Sequence, residues 1–313
     1  MNIMILGAAG FIGTNLTFHL TKNLDDTITL VGRNAEHFCE VQKYDFPNVV
    51  IKNSSLDNNT DLYDLIKGQD ILYHLVSTTI PITSNQHISQ ELQANVVFSA
   101  NLFEACVKSN VKRVVFISSG GTVYGKEENC PLNENMQTSP ISSYGIQKIT
   151  IEKLLYLYNY MYGLDYRIVR LANPYGPYQR PNGKLGAVTT FTYKALKGEK
   201  IIVYGDGSIV RDFIYIDDAI RAMLNIVNGE SQHHVFNIGC GYGTSIKDLL
   251  DTIQHALGQE LSVIYKRGRE VDVPINYLDI TRYEKYYGKL KPLSLYEGIK
   301  KTAEFMRKHY ELA

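Results

Sequence analysis

Tyr144 and Lys148 are the pair in this sequence best suited to moving a proton. Residues four apart share one helix face, so the spacing predicts a Lys148 ammonium beside the Tyr144 phenol. A phenol ordinarily ionises at a pH of about 10, and a neighbouring cation favours the phenolate, which would bring an acid and base toward neutral pH. Such a spacing also arises by chance in many helices, so its surroundings must decide. Upstream stands an apolar strand reading VVFI from Val114 to Ile117, then the small-residue run Ser118-Ser119-Gly120-Gly121-Thr122-Val123-Tyr124-Gly125.

A second constellation could hold phosphate. Ile3 to Leu6 is a short apolar run, followed by Gly7-Ala8-Ala9-Gly10-Phe11-Ile12-Gly13 and a helical stretch from Thr14 to Lys22. Strand, glycine turn and helix place backbone N–H groups, here those around Phe11 and Ile12, against a pyrophosphate. Gly10 lets phosphates approach the backbone, and Gly13 lets the helix pack closely. The next strand, Thr27 to Val31, ends at Gly32-Arg33-Asn34 with no acid to bind a ribose 2′-hydroxyl. Arg33 and Asn34 therefore leave the cofactor as NAD or NADP, with the arginine leaning to NADP.

The elements that position these residues alternate. Strands are expected at Val49 to Lys52, Asp70 to Leu75, Arg113 to Ile117 and Tyr166 to Leu171, with helices at Thr60 to Lys67, His87 to Asn110 and from Ser143 onward. This pattern predicts an α/β fold: a Rossmann-type, doubly wound parallel sheet with ligand at the carboxyl ends of its strands. Leu75, Ser77 and Thr79 begin a loop at that edge, and Asn95 lies inside the long helix nearby. From Asn173 to Gly183 the chain is turn-rich and is expected to lack regular structure. The domains are accordingly 1–172, for the dinucleotide, and 173–313, a smaller mixed α/β substrate domain from which some segments return to the first.

With 32 basic and 32 acidic side chains in 313 residues, no global field favours nucleic acid or an anionic membrane. Cys39, Cys106, Cys130 and Cys240 show no metal-ligand spacing, so no metal is expected, and they read as reduced thiols of a cytoplasmic protein. Met1 to Leu6 lacks a basic flank and reads as a strand, not a signal peptide. The helix through Tyr156-Leu157-Tyr158-Asn159-Tyr160-Met161-Tyr162 is apolar almost all round, which suits burial by a partner subunit. Packing with the Val96 to Val107 helix would give a homodimer through four helices.

Together, Gly7-x-x-Gly10-x-x-Gly13, the Thr122 to Gly125 segment, Tyr144-x-x-x-Lys148, Asn173-Pro174-x-Gly176 and Gly205-Asp206-Gly207 followed by Arg211-Asp212 resemble the extended short-chain dehydrogenase/reductase superfamily. The resemblance runs nearly end to end and is nearest to nucleotide-sugar epimerases of the UDP-glucose 4-epimerase type. It implies a tightly bound nicotinamide dinucleotide, a nucleoside-diphosphate sugar with uridine as the default base, and inversion through a 4-keto sugar. Tyr144 would be the proton carrier, and Lys148 would also bind the nicotinamide ribose. The resemblance further implies diphosphate arginines at Arg211 and Arg269, a ribose-binding Asp272, a base-stacking Tyr204, Asn173 near the diphosphate and Val188 beside the segment covering the nucleotide. The family commonly carries a Ser or Thr where this chain has Gly120, so Ser119 and Thr122 are the candidates for that hydroxyl.

Related 4,6-dehydratases place an Asp-Glu pair where Gly121-Thr122 stand, which disfavours dehydration. An NADP-dependent sugar reductase remains the alternative enzyme. A non-catalytic dinucleotide-binding regulator would need neither Tyr144 with Lys148 nor paired substrate arginines.

Overall fold

The computed structural model describes residues 1–33, 38–81, 83–127, 129–181, 186–268 and 273–312. It divides into two compact units. The first comprises Met1–Val123, Ser142–Val169 and Ser231–Val235, and the second Tyr124–Ile141, Arg170–Glu230 and Phe236–Ala313. The chain thus leaves the first unit after Val169, and Tyr124–Ile141 belongs with the second.

In chain order the first unit carries β1 (Asn2–Leu6), α1 (Phe11–Leu20), β2 (Thr27–Gly32), α2 (Cys39–Gln42), β3 (Val49–Asn53), α3 (Leu62–Ile66), β4 (Ile71–His74), α4 (Ile88–Leu92), α5 (Phe98–Lys108), β5 (Arg113–Ser119), α6 (Ser143–Tyr162) and the start of β6 (Asp165–Leu171). Then follow β7 (Asn173–Tyr175), α7 (Ala187–Leu196), β8 (Ile201–Tyr204), β9 (Val210–Arg211), β10 (Phe213–Tyr215), α8 (Ile216–Asn228), β11 (Val235–Ile238), β12 (Thr244–Ser245), α9 (Ile246–Leu257), β13 (Val263–Lys266), β14 (Ile275–Asn276), α10 (Thr281–Tyr287) and α11 (Leu295–Tyr310).

The main sheet has the order β11-β6-β5-β4-β1-β2-β3, and β1 pairs in parallel with both β2 and β4. Parallel strands covered on both faces must be apolar throughout, and Ile3 to Leu6 are buried without alternation. Strand order reverses at β1 and β4, so the carboxyl ends of these two strands define the crevice where such sheets bind ligands. Met4, Leu6, Leu72, Val114 and Phe116 of the sheet form one core with Phe98, Leu102 and Phe103 of α5 and Ile151 and Leu155 of α6. The expected alternation and doubly wound fold are observed.

Three local expectations change. The helix after the glycine turn begins at Phe11, not Thr14, because Gly13 is itself helical and lies against the Gly7–Ala8 turn. The long helix from His87 is interrupted by a π-helical turn at Gln93–Val97. Asn173–Tyr175, expected as irregular, is a short strand that pairs in parallel with β10, and β11 joins the main sheet at its edge. Pro174 tolerates this because a two-strand pair makes few demands on its missing N–H.

In the second unit Tyr175, Val188, Phe213, Tyr215, Leu249, Ile253 and Ile299 form the core. Two of its helices, α9 and α11, start at side-chain caps: Ser245 Oγ accepts from Asp248 N at 3.0 Å, and Ser294 Oγ accepts from Glu297 N at 3.2 Å. Each serine precedes an acid by three residues, a signal that marks a helix start in sequence. Among the described residues no helix is long and apolar enough to cross a membrane.

Gly13 is the tightest point around β1. A Cβ there would lie 2.6 Å from Ala8 Cα and 2.7 Å from the Ala8 and Gly7 carbonyl oxygens, all backbone atoms that cannot rotate away. Gly13→Ala is expected to destabilise the protein by about 1–3 kcal/mol, the usual range for overpacking, read as a lower urea midpoint.

Candidate active site

Gly7, at the carboxyl end of β1, has φ +84°, and a Cβ on it would meet the Leu75 carbonyl carbon at 3.2 Å. The glycine turn and the start of the Leu75 loop are therefore packed backbone to backbone. Gly7 N–H and Ala8 N–H both donate to the Val31 carbonyl, which ties the turn to β2. Gly10 is the N-cap of α1 and supplies no side-chain cap; Phe11, Ile12 and Gly13 form its first turn, with no acid there. A helix N-terminus with uncapped N–H groups and a glycine approach fits an anionic pyrophosphate. Arg33 is exposed just after β2. Asn34 lies outside the described residues.

The loop after β4 is held from within the first unit. Ser77 Oγ donates to the Thr79 carbonyl at 3.1 Å. Asn95 Oδ1 accepts from Thr78 N–H at 3.0 Å, and its Nδ2 donates to Thr78 Oγ1 at 2.9 Å and to Gln147 Oε1 at 2.8 Å. Asn95 is thus a clamp on the loop. Thr79 is buried, and its Oγ1 has no hydrogen-bond partner among the described residues.

Tyr144 and Lys148 lie in the first two turns of α6, whose start is set by Ser142 Oγ accepting from Gly145 N at 3.2 Å. Lys148 Nζ sits 5.5 Å from the Tyr144 ring centroid and 4.7 Å from that of Phe116. Its ammonium donates to the Ile117 carbonyl of β5 at 2.8 Å. Burial pulls the Lys148 pKa down to about 8, opposed by the Glu152 carboxylate one turn on. Glu152 accepts from Ser118 Oγ at 2.5 Å, so α6 is bonded to β5 twice.

The pair is adjacent, but the expected phenolate at neutral pH is not what protein groups alone produce. Burial pushes Tyr144 up to about 12. The cause is burial: the phenol loses water around its charged form, and no hydrogen bond from Lys148 to it offsets that, while the ammonium gives one N–H to the Ile117 carbonyl.

Of the two candidate hydroxyls, Ser119 closes β5 and is partly exposed, and its carbonyl accepts from Thr122 N at 3.3 Å and Val123 N at 3.2 Å. This turn brings Thr122 back beside Ser119. Thr122 Oγ1 is buried and has no partner among the described residues, which leaves it free to bond a ligand.

Of the second unit's candidates, Asn173 and Arg211 are drawn together by Asp212. Asn173 donates both N–H and Nδ2 to the Asp212 carbonyl, at 3.0 and 2.9 Å. Arg211 Nη1 donates to the Val210 and Val273 carbonyls at 2.8 and 2.7 Å. Tyr204 ends β8 with 37% of its surface exposed, whereas Val188 is 1% exposed and packs in the core, so only its backbone could touch a ligand. Arg269 and Asp272 lie outside the described residues.

Sequence reading passed over several residues that hold this arrangement. Buried Asp212 accepts from Cys240 N at 2.7 Å and Leu278 N at 3.2 Å, and burial lifts its pKa to about 6. Tyr124 Oη donates to Asn237 Oδ1 at 2.7 Å and accepts from Arg170 at 3.1 Å. Gln147 was missed because a polar residue on a helix reads as surface. Only the Arg211-Asp212 pairing offered a signal.

A doubly wound sheet with a glycine-cradled helix start, and a tyrosine and lysine on one helix beside β5, defines a dinucleotide-binding protein equipped for proton transfer. The chain matches the NAD dependent epimerase/dehydratase family over residues 3–239 and belongs to it. It is 32% identical over 313 residues to a UDP-glucose 4-epimerase of Mycolicibacterium smegmatis, covering 98% of this chain and 99% of that one. It is similar to the UDP-glucose 4-epimerase of Thermotoga maritima solved with UDP-glucose (TM-score 0.91, 32% identity, 99% and 100% of the two chains). It also resembles the UDP-glucuronic acid 4-epimerase of Bacillus cereus solved with UDP-glucuronic acid and NAD (TM-score 0.89, 25% identity, 99% and 100%).

Because the folded Lys148 pKa, about 8, lies below the ordinary lysine value of 10.5, the unfolded chain binds more protons between these values. Stability from this residue therefore rises with pH from about 8 to 10.5, and at pH 7 the buried cation is a cost. Lys148→Met is expected to raise the urea midpoint at pH 7, equivalent to about 1–3 kcal/mol, with the gain over wild type shrinking as pH rises through that window. Parallel urea titrations at pH 7 and 9.5 check this.

Proposed function

We propose that this protein is a UDP-sugar 4-epimerase that uses NAD. The observation that carries the reading is the placement of Tyr144 and Lys148 on α6 beside β5, with the unpartnered Thr122 hydroxyl at the following turn. Full-length similarity to UDP-sugar 4-epimerases supports it.

Gly7, Gly10, Phe11, Ile12 and Gly13 hold the pyrophosphate of the dinucleotide, with Leu75 and Ser77 lining the neighbouring loop, Asn95 clamping that loop, and Arg33 and Asn34 nearest the adenosine ribose. NAD is assigned over NADP because the B. cereus relative was solved with NAD. When bound, NAD would supply a hydride acceptor and donor for the sugar C4. Tyr144 takes the proton of the 4-hydroxyl and later restores it to the 4-keto oxygen. Lys148 is largely protonated at neutral pH, so its ammonium opposes the burial that keeps Tyr144 protonated. Thr122, assisted by Ser119, supplies the hydroxyl that bridges sugar oxygen and phenol in place of the residue absent at Gly120. Thr79, with its buried free hydroxyl, contacts the sugar.

In the second unit, Arg211 and Arg269 bind the diphosphate through guanidinium forks, Asn173 lies near it, Tyr204 stacks on the base, Asp272 holds the ribose, and Val188 contributes backbone. Reduced free thiols suit a cytoplasmic enzyme.

The partner is a second copy of this chain. On α6, Tyr156, Tyr160, Met161 and Tyr162 are 60%, 79%, 55% and 56% exposed, and Val97 beside α5 is 44% exposed. A patch of that composition is ordinarily covered, and two such helices from each protomer give a four-helix interface. Tyr160→Glu is expected to convert a dimer to monomer in light scattering; a wild-type monomer would overturn the interface.

Purified protein is expected to carry NAD by mass and to interconvert UDP-glucose and UDP-galactose without net cofactor turnover. Tyr144→Phe should lower kcat at least about a hundredfold with NAD retained, the scale of general acid–base catalysis, and Thr122→Val should lower it about tenfold. A product that forms only with added NADPH would instead identify a sugar reductase.

A further inference from the structure

Gln147 lies between the two proton-transfer residues on α6 and is 2% exposed. Its carboxamide has a determined orientation. Asn95 Oδ1 accepts from Thr78 N–H, which leaves Asn95 Nδ2 as the donor toward α6, so Gln147 must present its oxygen there, at 2.8 Å. The Gln147 nitrogen then donates to Ser143 Oγ at 3.0 Å and approaches Glu91 Oε2 at 3.4 Å. Ser143 N–H in turn donates to Asn85 Oδ1 at 2.8 Å.

Behind Asn95 the hydrogen order is also forced. The π-helical turn contains Asn95, and Ser99 Oγ donates to the Asn95 carbonyl at 2.5 Å. Having given its proton, Ser99 accepts from His74, 2.8 Å away, so His74 carries its hydrogen on Nε2. That leaves Nδ1 as a bare acceptor on a ring flanked by Phe98, Phe103 and Phe116, with no hydrogen-bond partner among the described residues. Strand β4, the π-helical turn, the Thr78 loop and the first turns of α6 are thereby joined in one directional chain, and Gln147 is its link to α6.

We propose that Gln147 is a positioning residue for epimerisation: through Asn95 it sets the rotation of α6 against the Thr78 loop and so aims Tyr144 and Lys148 together. Gln147 is about 60° around the helix from Tyr144 and about 100° from Lys148, so a helix turned enough to lose its bond would misdirect both. A leucine of similar size would fill the space, but packing alone has no preferred direction. The titratable groups around this face are Glu91 on α4, His74 on β4, and Lys148 and Glu152 on α6 itself.

The inference rests on the epimerase reading, and its test separates the two. In NAD-loaded protein turning over UDP-glucose, Gln147→Leu is expected to lower kcat ten- to hundredfold with KM within threefold and NAD content unchanged. The rising limb of kcat against pH should move upward by at least half a pH unit, because a phenol displaced from Lys148 ionises less readily. Gln147→Glu keeps the volume and the acceptor facing Asn95, and is expected to recover part of the lost kcat; should the leucine variant not fold, the glutamate variant's kcat loss at constant KM carries the test. Unchanged kcat, or a fall in kcat, NAD content and unfolding midpoint together with an unmoved pH limb, overturns the proposal. If wild type turns over no UDP-sugar, the epimerase reading fails by itself, and hydrogen exchange still decides: faster exchange confined to 75–79 and 143–148 supports the link, and unchanged exchange there overturns it.

Discussion

A buried ammonium bonded to a strand carbonyl is the interaction around which the first unit is organised. Lys148 Nζ donates a hydrogen bond to Ile117 O, and Glu152 accepts one from Ser118 Oγ, so α6 meets the carboxyl half of β5 through two polar bonds inside an otherwise apolar contact. Burying a cation is costly unless it is bonded, and the carbonyl and the nearby carboxylate limit that cost without removing it. The depressed lysine pKa is the sign of what remains. On the proposed reading, that cost is borne to keep an ammonium next to the Tyr144 phenol.

The same helix connects to the rest of the unit through bonds that have direction. Asn95 and Gln147 join it to the Thr78 loop, and the π-helical turn makes this possible by shifting the helical ladder at Asn95. In the second unit Asp212 has the corresponding position. Its carboxylate holds the backbone at Cys240 and Leu278, and its own carbonyl receives Asn173, so one buried acid arranges several chain segments. Both units thus fix their candidate site residues by satisfying buried polar groups from several segments at once.

Much of the fold could be read from residue order. The unbroken apolar run at Ile3 to Leu6, the glycine spacing and the alternation of strands and helices led to the parallel sheet, with ligand expected at the carboxyl ends of its strands. Ser-x-x-Asp and Ser-x-x-Glu stand at the starts of α9 and α11, where Ser245 and Ser294 cap the helices. The start of α1 was misplaced because Gly13 reads locally as a breaker, whereas its missing Cβ is what admits the helix to Ala8. Asn173–Tyr175 read as irregular because proline and glycine dominate it, yet β10 supplies a partner from far along the chain.

By itself the sequence determined the class of protein and the glycine spacing that opens α1, and it singled out Tyr144 and Lys148 as candidates for proton transfer, because these depend on spacing within one strand or helix. Tertiary structure alone decided where the Lys148 proton points, which hydroxyl remains unpaired at the turn after β5, and that Gln147 and Asn95 bond one another. Such facts depend on groups from distant segments and on the loss of water around them. A phenol beside a lysine is a local fact; the direction of the lysine's hydrogen bond and the burial that holds the phenol protonated are not.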